Sequence, residues 1–271
     1  MVGHLVQQIN DSQHGFIPKC ACLTSLLEFI EYDTDAVDHG KPVDVIYLDF
    51  QKAFHKLPHV RLLHKLAAHG ISGNILNWIG EWLNERQQRV VLNGNVSAWL
   101  YVISGVPEGS ILGPLLFLIF INDIDKGIVN KLLKFAGNTK LVGTVSSECE
   151  VNQLRSDIKK LYDWSVDWQM FNAENEEKDL GVIVSDTLKP SSQCIAAAKS
   201  ANKTLGMIKR TFVNRNSKII LKLYQSLARP KMEYCVQAWQ PYLKKDIDLL
   251  EKVQKRATRL MIKDRSLSVV I

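Results

Sequence analysis

Apolar positions follow two periods along the chain. Val45, Ile46, Tyr47, Leu48 and Phe50 form a near-continuous apolar run of strand-forming residues, so Val43 to Phe50 reads as a strand buried on both faces. Ahead of it, a loop from Gln13 to Cys22 enters a helix with Leu23, Leu26, Leu27 and Ile30 at helical spacing. Leu62, Leu63 and Leu66 predict a helix over Val60 to His69, stopped by Gly70. Ile75, Ile79, Trp82 and Leu83 share one face of a second helix over Asn74 to Arg86. Gln88 to Leu92 and Val96 to Ile103 flank Asn93-Gly94, the signal of a type I′ hairpin. Gly113-Pro114 opens a helix over Leu115 to Ile121 that is apolar on all sides and is expected beneath the sheet. Asn122-Asp123 ends that helix, with Asp125 expected in solvent. A second hairpin is centred on Phe135 to Asn138, and a long helix runs from Glu148 to Gln169. Beyond it, Leu180 to Val184 reads as a strand, followed by helices at Ser191 to Arg210, Ser217 to Leu227 and Lys244 to Ile262.

Charge changes this picture more than composition does. The chain has 271 residues, 46% hydrophobic and 23% charged, enough for one large domain or two small ones and unlike a disordered protein. Its net charge of +6 is unevenly spread: Lys189 to Ile271 holds 18 Lys and Arg against 5 Asp and Glu, leaving 16 against 23 elsewhere. A basic segment behind an acidic, carboxylate-bearing core suggests a surface for RNA or DNA, against the alternative of lysine-rich solvated helix faces. Five scattered cysteines without a C-x-x-C spacing read as reduced thiols, neither a disulfide frame nor a zinc site. Met1 to Asn10 lacks a signal-peptide pattern, and Pro114 to Ile121 is too short to span a bilayer. The expectation is an intracellular protein, nuclear or cytoplasmic, without membrane association.

Asp49, at the end of the first strand, is costly to bury unless something cationic meets it. A metal ion would do so; a turn-capping aspartate is the plainer alternative. The words around it tip the balance toward the metal ion. Leu48-Asp49-Phe50-Gln51-Lys52-Ala53-Phe54, Ser104-Gly105-Val106-Pro107-Glu108-Gly109-Ser110-Ile111-Leu112-Gly113-Pro114, Ile121-Asn122-Asp123-Ile124 and Lys134-Phe135-Ala136 occur in this order. The series resembles the reverse transcriptase domain of LINE-type, jockey-like non-LTR retrotransposons, from about Gln13 to Met261. The family's upstream endonuclease and the first part of its fingers are not expected in this chain.

That resemblance implies an α+β right-hand polymerase fold: a fingers remnant over residues 1–42, a palm with finger insertions over 43–170, and a shortened, basic helical thumb over 176–271. It implies RNA-directed DNA polymerase activity with Mg²⁺, and a substrate-binding role for Phe54, Glu108 and Gly109. Phe54 falls where the family packs against the nucleotide sugar, and reads equally well as core. Several family positions are altered. Glu108 replaces a Gln, so an anion that accepts but cannot donate stands near the triphosphate position. Ile17, Pro18, Lys19 and Cys20 replace a basic phosphate-contacting series. Gly137 and Asn138 stand where the family has two adjacent aspartates, leaving Asp49 as the remaining metal carboxylate. Mg²⁺ requires hard anionic oxygens, so the implied cofactor is expected to be weakly held or absent. Arg86 and Arg89 read as exposed rim or as template contacts. Lys252, Lys255, Arg256, Arg259 and Lys263 fall on the exposed side of the last helix and are the candidate nucleic-acid contacts. The reading taken is a polymerase-family protein without polymerase chemistry; a working polymerase, a nucleic-acid-binding module and a translated relic are the alternatives.

Overall fold

The computed structural model describes residues 2–48, 50, 52–107, 109–165, 176–185, 187–212 and 217–262. The chain divides into two units, Met1–Ala173 and Glu174–Ile271. Among the described residues no helix is long and apolar enough to cross a membrane.

The first unit opens with helices α1 (Val2–Val6) and α2 (Cys22–Asp38) and strand β1 (Val43–Leu48). Helices α3 (Ala53–Lys56), α4 (His59–Ala68) and α5 (Gly73–Leu83) follow. Four short strands come next: β2 (Gln87–Gln88), β3 (Val91–Leu92), β4 (Asn95–Val96) and β5 (Leu100–Tyr101). Helix α6 (Leu112–Ile121) runs into a 3-10 turn at Asn122–Asp125. Hairpin strands β6 (Lys131–Phe135) and β7 (Asn138–Thr144) and helix α7 (Glu148–Trp164) complete the unit.

Helix α6 is the centre of this unit. Pro114 lies in its first turn, where a missing N–H breaks no intrahelical bond, and Ser110 Oγ accepts the Gly113 N–H at 2.9 Å. All four faces of α6 are apolar, and Leu116, Phe117, Ile119 and Phe120 are fully buried. Each such side chain contributes roughly 1.5–3 kcal/mol of transfer free energy. Leu5 of α1, Leu62 and Leu66 of α4, and Ile79 and Leu83 of α5 belong to the same core.

The sheet has the order β1-β7-β6, antiparallel throughout, with β1 paired from Val43↔Thr144 to Leu48↔Thr139. The doubly buried strand is β7, not β1. Thr139 to Gly143 are all buried, whereas β1 is an edge strand with mostly half-buried side chains. The apolar run of β1 gave the opposite expectation, because an edge strand with one covered face can carry the same residues. Gly143 is the close-approach point for α7: a Cβ there would lie 2.6 Å from Asn130 Oδ1 and 2.9 Å from Leu154 Cδ1. Nearby, the fully buried Asp157 carboxylate of α7 accepts N–H groups from Val129 (3.0 Å) and Asn130 (2.9 Å), and pairs with Lys160 at 3.1 Å.

The hairpin at residues 87–103 forms as expected, with Asn93 and Gly94 both at positive φ (49° and 81°). Its residues face solvent, and the Arg89 guanidinium sits 4.5 Å from the centre of the Trp99 ring.

The second unit begins with a hairpin, β8 (Glu176–Asp179) and β9 (Val182–Ser185). The expected strand over Leu180 to Val184 therefore starts two residues late. Leu180 and Gly181 form the turn, both left-handed (φ 47° and 90°), and the Leu180 carbonyl accepts the Tyr234 hydroxyl at 2.9 Å. Helices α8 (Ser191–Thr211) and α9 (Ser217–Leu223) follow, and α9 passes into a π-helical turn at Tyr224–Ala228. Short helices α10 (Pro230–Glu233) and α11 (Val236–Trp239) lead to α12 (Lys244–Met261). Ala198, Ala201 and Leu205 of α8 pack with Val253 and Ala257 of α12 in one buried cluster. Asp246 of α12, almost fully buried, accepts the Ser191 hydroxyl at 2.7 Å.

Candidate active site

The β6–β7 hairpin reverses through Ala136 and Gly137, since Phe135 pairs with Asn138. A two-residue reversal with a left-handed first position favours glycine there, yet that position is Ala136, at φ 54°. Gln13 holds it in place. This buried side chain accepts the Ala136 N–H on Oε1 at 2.8 Å and the Gly15 N–H at 2.8 Å, and its Nε2 donates to the Ala136 carbonyl at 3.5 Å. The segment around Gln13 lies along β6: Lys134 N donates to Ser12 O and His14 N to Lys134 O, each at 2.7 Å. Gly15 must be glycine here, because a Cβ would sit 2.3 Å from Ala136 N.

Lys134 of β6 is fully buried and ion-paired with Asp125, which also accepts the Ser12 hydroxyl at 2.5 Å. Burial pulls the Lys134 ammonium below the usual lysine range, and Asp125 opposes that pull. Asp125 is therefore a partner to a buried cation, not the solvated residue expected. Asp123 likewise anchors Lys65 (2.5 Å) and Trp164 Nε1 (3.0 Å). Burial alone would raise the Asp123 carboxyl, but Lys65 holds it below its ordinary value.

Gly137 is buried at the turn, and a Cβ there would lie 3.3 Å from Ala53 Cβ, 3.8 Å from Phe117 Cζ and 3.9 Å from Phe50 Cβ. These three nearest atoms among the described residues are carbon. Asn138 is exposed and offers one neutral carbonyl oxygen. Asp49, which follows the last pair of β1 in sequence, lies outside the described residues, as do Glu108 and Lys263. The donors of the hairpin turn do not suit a pair of Mg²⁺ ions: a glycine and a neutral amide supply none of the anionic oxygens that bridging requires. Among the described residues, no group of three His, Cys, Asp or Glu side chains could hold a metal ion.

Phe54 is half-buried in an aromatic row. Its ring meets Phe117 at 4.9 Å and Phe16 edge-on at 6.2 Å. The glycine-rich bend is joined to this turn by Gly105 N donating to Leu57 O (2.8 Å) and Val106 N to Phe54 O (2.7 Å). Gly105 (φ 80°) leaves no room for a Cβ, which would fall 2.4 Å from Phe54 O. Arg86 is neither rim nor open template contact; it donates to Gly105 O at 2.6 Å and to Leu83 O at 3.1 Å. Gly109 is left-handed (φ 75°) with open space around it. The structure thus brings Phe54 and Gly137 to Phe117, with Gly105 seated against the Phe54 carbonyl. Sequence reasoning missed Gln13 and Gly15 as the hairpin's supports; their only signal was a Gln-x-Gly in a polar loop.

Lys252, Lys255, Arg256 and Arg259 belong to the second unit, where all four are exposed on α12. Their spacing puts them on one stripe of the helix. Lys255 is paired with Glu251 at 3.0 Å, and Arg256 donates to Asn202 Oδ1 of α8 at 3.0 Å. Lys252 and Arg259 make no ion pair among the described residues.

Residues 1–171 match the family model for the reverse transcriptase (RNA-dependent DNA polymerase). The RNA-directed DNA polymerase from mobile element jockey of Drosophila funebris is 20% identical over 289 residues, covering 91% of this chain and 31% of that protein. The probable RNA-directed DNA polymerase from transposon X-element of Drosophila melanogaster is 21% identical over 290 residues, covering 93% and 32%. This chain therefore spans about a third of the length of these relatives. Among solved structures, the apo telomerase from Candida tropicalis has the same fold at a TM-score of 0.54 and 13% identity, covering 98% of this chain and 50% of that one. The fold is the α+β polymerase fold of reverse transcriptases, and the chain belongs to the reverse transcriptase family, among the domains of LINE-type non-LTR retrotransposons.

Proposed function

We propose that this chain is a reverse transcriptase-like protein that has lost RNA-directed DNA polymerase chemistry and retains binding to RNA or DNA. The observation that carries the first half is that a carbon-lined contact of Ala53, Phe117 and Phe50 meets Gly137, which with exposed Asn138 offers no anionic oxygen. Transition-state stabilisation by two bridged metal ions amounts to several kcal/mol, so its loss costs on the order of a thousandfold or more in rate. On this reading residues 1–42 are a fingers remnant, 43–170 the palm with finger insertions, and 176–271 the thumb-like basic region. The stripe of Lys252, Lys255, Arg256 and Arg259 supports the second half. Cations on a helix displace counterions from a phosphate backbone without reading bases.

Primer extension on an RNA template, with Mg²⁺ and separately with Mn²⁺, tests the first half. No extension is expected. Template-dependent incorporation that disappears on Asp49→Ala would overturn it. Fluorescence anisotropy with a labelled oligonucleotide on the same sample tests the second half, and the expected result is binding that weakens steeply with salt.

A further inference from the structure

A groove of about 410 Å³ in the second unit lies between α8 and the segment running from the π turn into α10. Three cations converge on it: Lys203 and Arg210 from α8 and Lys231 from α10. None of the three is ion-paired among the described residues, and the lining contains no carboxylate. The hydroxyl residues Ser200 and Thr204 border it, and Met207 and Leu227 form an apolar part of the wall.

The placement follows from helix geometry. Ser200, Lys203, Thr204, Met207 and Arg210 recur every three or four residues, so they share one stripe of α8. That stripe is turned away from the buried side of Ala198, Ala201 and Leu205. Arg256 of α12 reaches α8 at Asn202, roughly 140° around the helix from the centre of the groove stripe at about 100° per residue. The groove and the basic stripe of α12 are therefore different surfaces of one unit. Across the groove, the π turn at Tyr224–Ala228 adds a residue, with Arg229 N donating to Tyr224 O at 2.9 Å. An added residue rotates everything after it by about 100°, and this sets the azimuth of Lys231.

We propose that this groove is a second, sequence-independent binding site for a single-stranded nucleic acid backbone, separate from the α12 stripe. The inference rests on the nucleic-acid-binding reading above. Like charges crowded on one concave surface repel one another, and a polyanion relieves that repulsion with release of its counterions. Lys203 and Arg210 are seven residues apart, about 10 Å along the helix, so they address different phosphates of one extended strand. Among the described residues the groove lining holds no aromatic ring on which a base could stack, so the contact reads the backbone alone.

The test uses the full chain, a labelled mixed-sequence single strand of about 12 nucleotides, and two sets of substitutions. The first set is Lys203→Ala, Arg210→Ala and Lys231→Ala together; the second is Lys252→Ala and Arg259→Ala. Lysine acetylation of the unmodified protein, with and without the strand, gives a reading independent of any variant. Expected are a loss of affinity in the first set, a fall of about 2 in the slope of log K against log salt, and protection of Lys203 and Lys231. If the first set binds like the parent and neither lysine is protected, while the second set weakens binding, the groove proposal is wrong and the α12 reading stands. If neither set matters, both are wrong. Inorganic phosphate or a nucleoside triphosphate protecting these lysines at concentrations where the strand does not would assign the groove to a small anion and overturn the proposal.

Discussion

Gln13 and Ala136 are 123 residues apart in the chain and share two hydrogen bonds, the Ala136 N–H donating to Gln13 Oε1 at 2.8 Å and Gln13 Nε2 to the Ala136 carbonyl at 3.5 Å. A hairpin tip with a left-handed alanine is thereby fixed from outside itself. Gln13→Ala should cost about 1–3 kcal/mol, because a buried and a partly buried N–H group lose their acceptor. Ala136→Gly should cost nothing or stabilise slightly, since glycine adopts positive φ freely. Urea unfolding of both variants checks the pair; equal destabilisation would mean the tip is not held by Gln13.

The hairpin's two altered positions should respond differently to restoration. Gly137→Asp places a carboxylate against Ala53, Phe117 and Phe50 and should destabilise by at least about 2 kcal/mol, whereas Asn138→Asp, being exposed, should stay within about 0.5 kcal/mol. Primer extension by the double variant should recover little, because Ile17 and Glu108 remain and parts of one catalytic unit act non-additively. Thermal melts and extension assays on the single and double variants decide it. Full recovery would show the hairpin to be the sole lesion.

Acid should loosen the first unit through Asp157. Burial alone would raise this carboxyl, but the N–H groups of Asn130 and Val129 and the Lys160 ammonium hold it below its ordinary value. A carboxyl lowered on folding contributes stability that is present above its unfolded pKa of about 4 and is lost as pH falls through the folded value. Asp157→Asn should cost on the order of 3 kcal/mol at neutral pH and flatten the decline of stability below about pH 4. Denaturant midpoints measured across acid pH would show an unchanged slope if Asp157 is not involved.

Within the α12 stripe, the four cations should differ. Lys252→Ala and Arg259→Ala should each lower the salt slope of nucleic-acid binding by roughly 0.7 to 0.9. Lys255 already pairs with Glu251, so its removal should change the slope less. Arg256→Ala should also lower thermal stability, since Arg256 ties α12 to Asn202. Four equal slopes without a change in melting would contradict this ranking.

Legibility in the sequence tracked the range of the forces involved. Helices α4 and α5 follow from the spacing of Leu62, Leu63 and Leu66 and of Ile75, Ile79, Trp82 and Leu83, because one buried stripe is a local pattern. The type I′ turn at Asn93-Gly94 is equally local. What escaped was set by distant neighbours. Asp125 looks like a solvated loop residue until Lys134 is folded onto it, and Arg86 looks like rim until the Gly105 carbonyl arrives. The loss of ligand oxygens at Gly137 was readable from residue type, whereas the carbon contacts it meets depended on Phe117, twenty residues upstream.

The burial of α6 from Leu115 to Ile121 has a consequence for residues 5–10. Leu5 lies in the α6 core, Asn122 Nδ2 donates to Gln8 O at 2.8 Å, and Asn10 N donates to Asn122 Oδ1 at 2.9 Å. Residues 5–10 are thus part of the covering over α6. Truncation before Asp11, or proteolytic nicking there, would uncover apolar surface of α6, and the shortened chain should aggregate rather than fold to a smaller version of the same unit.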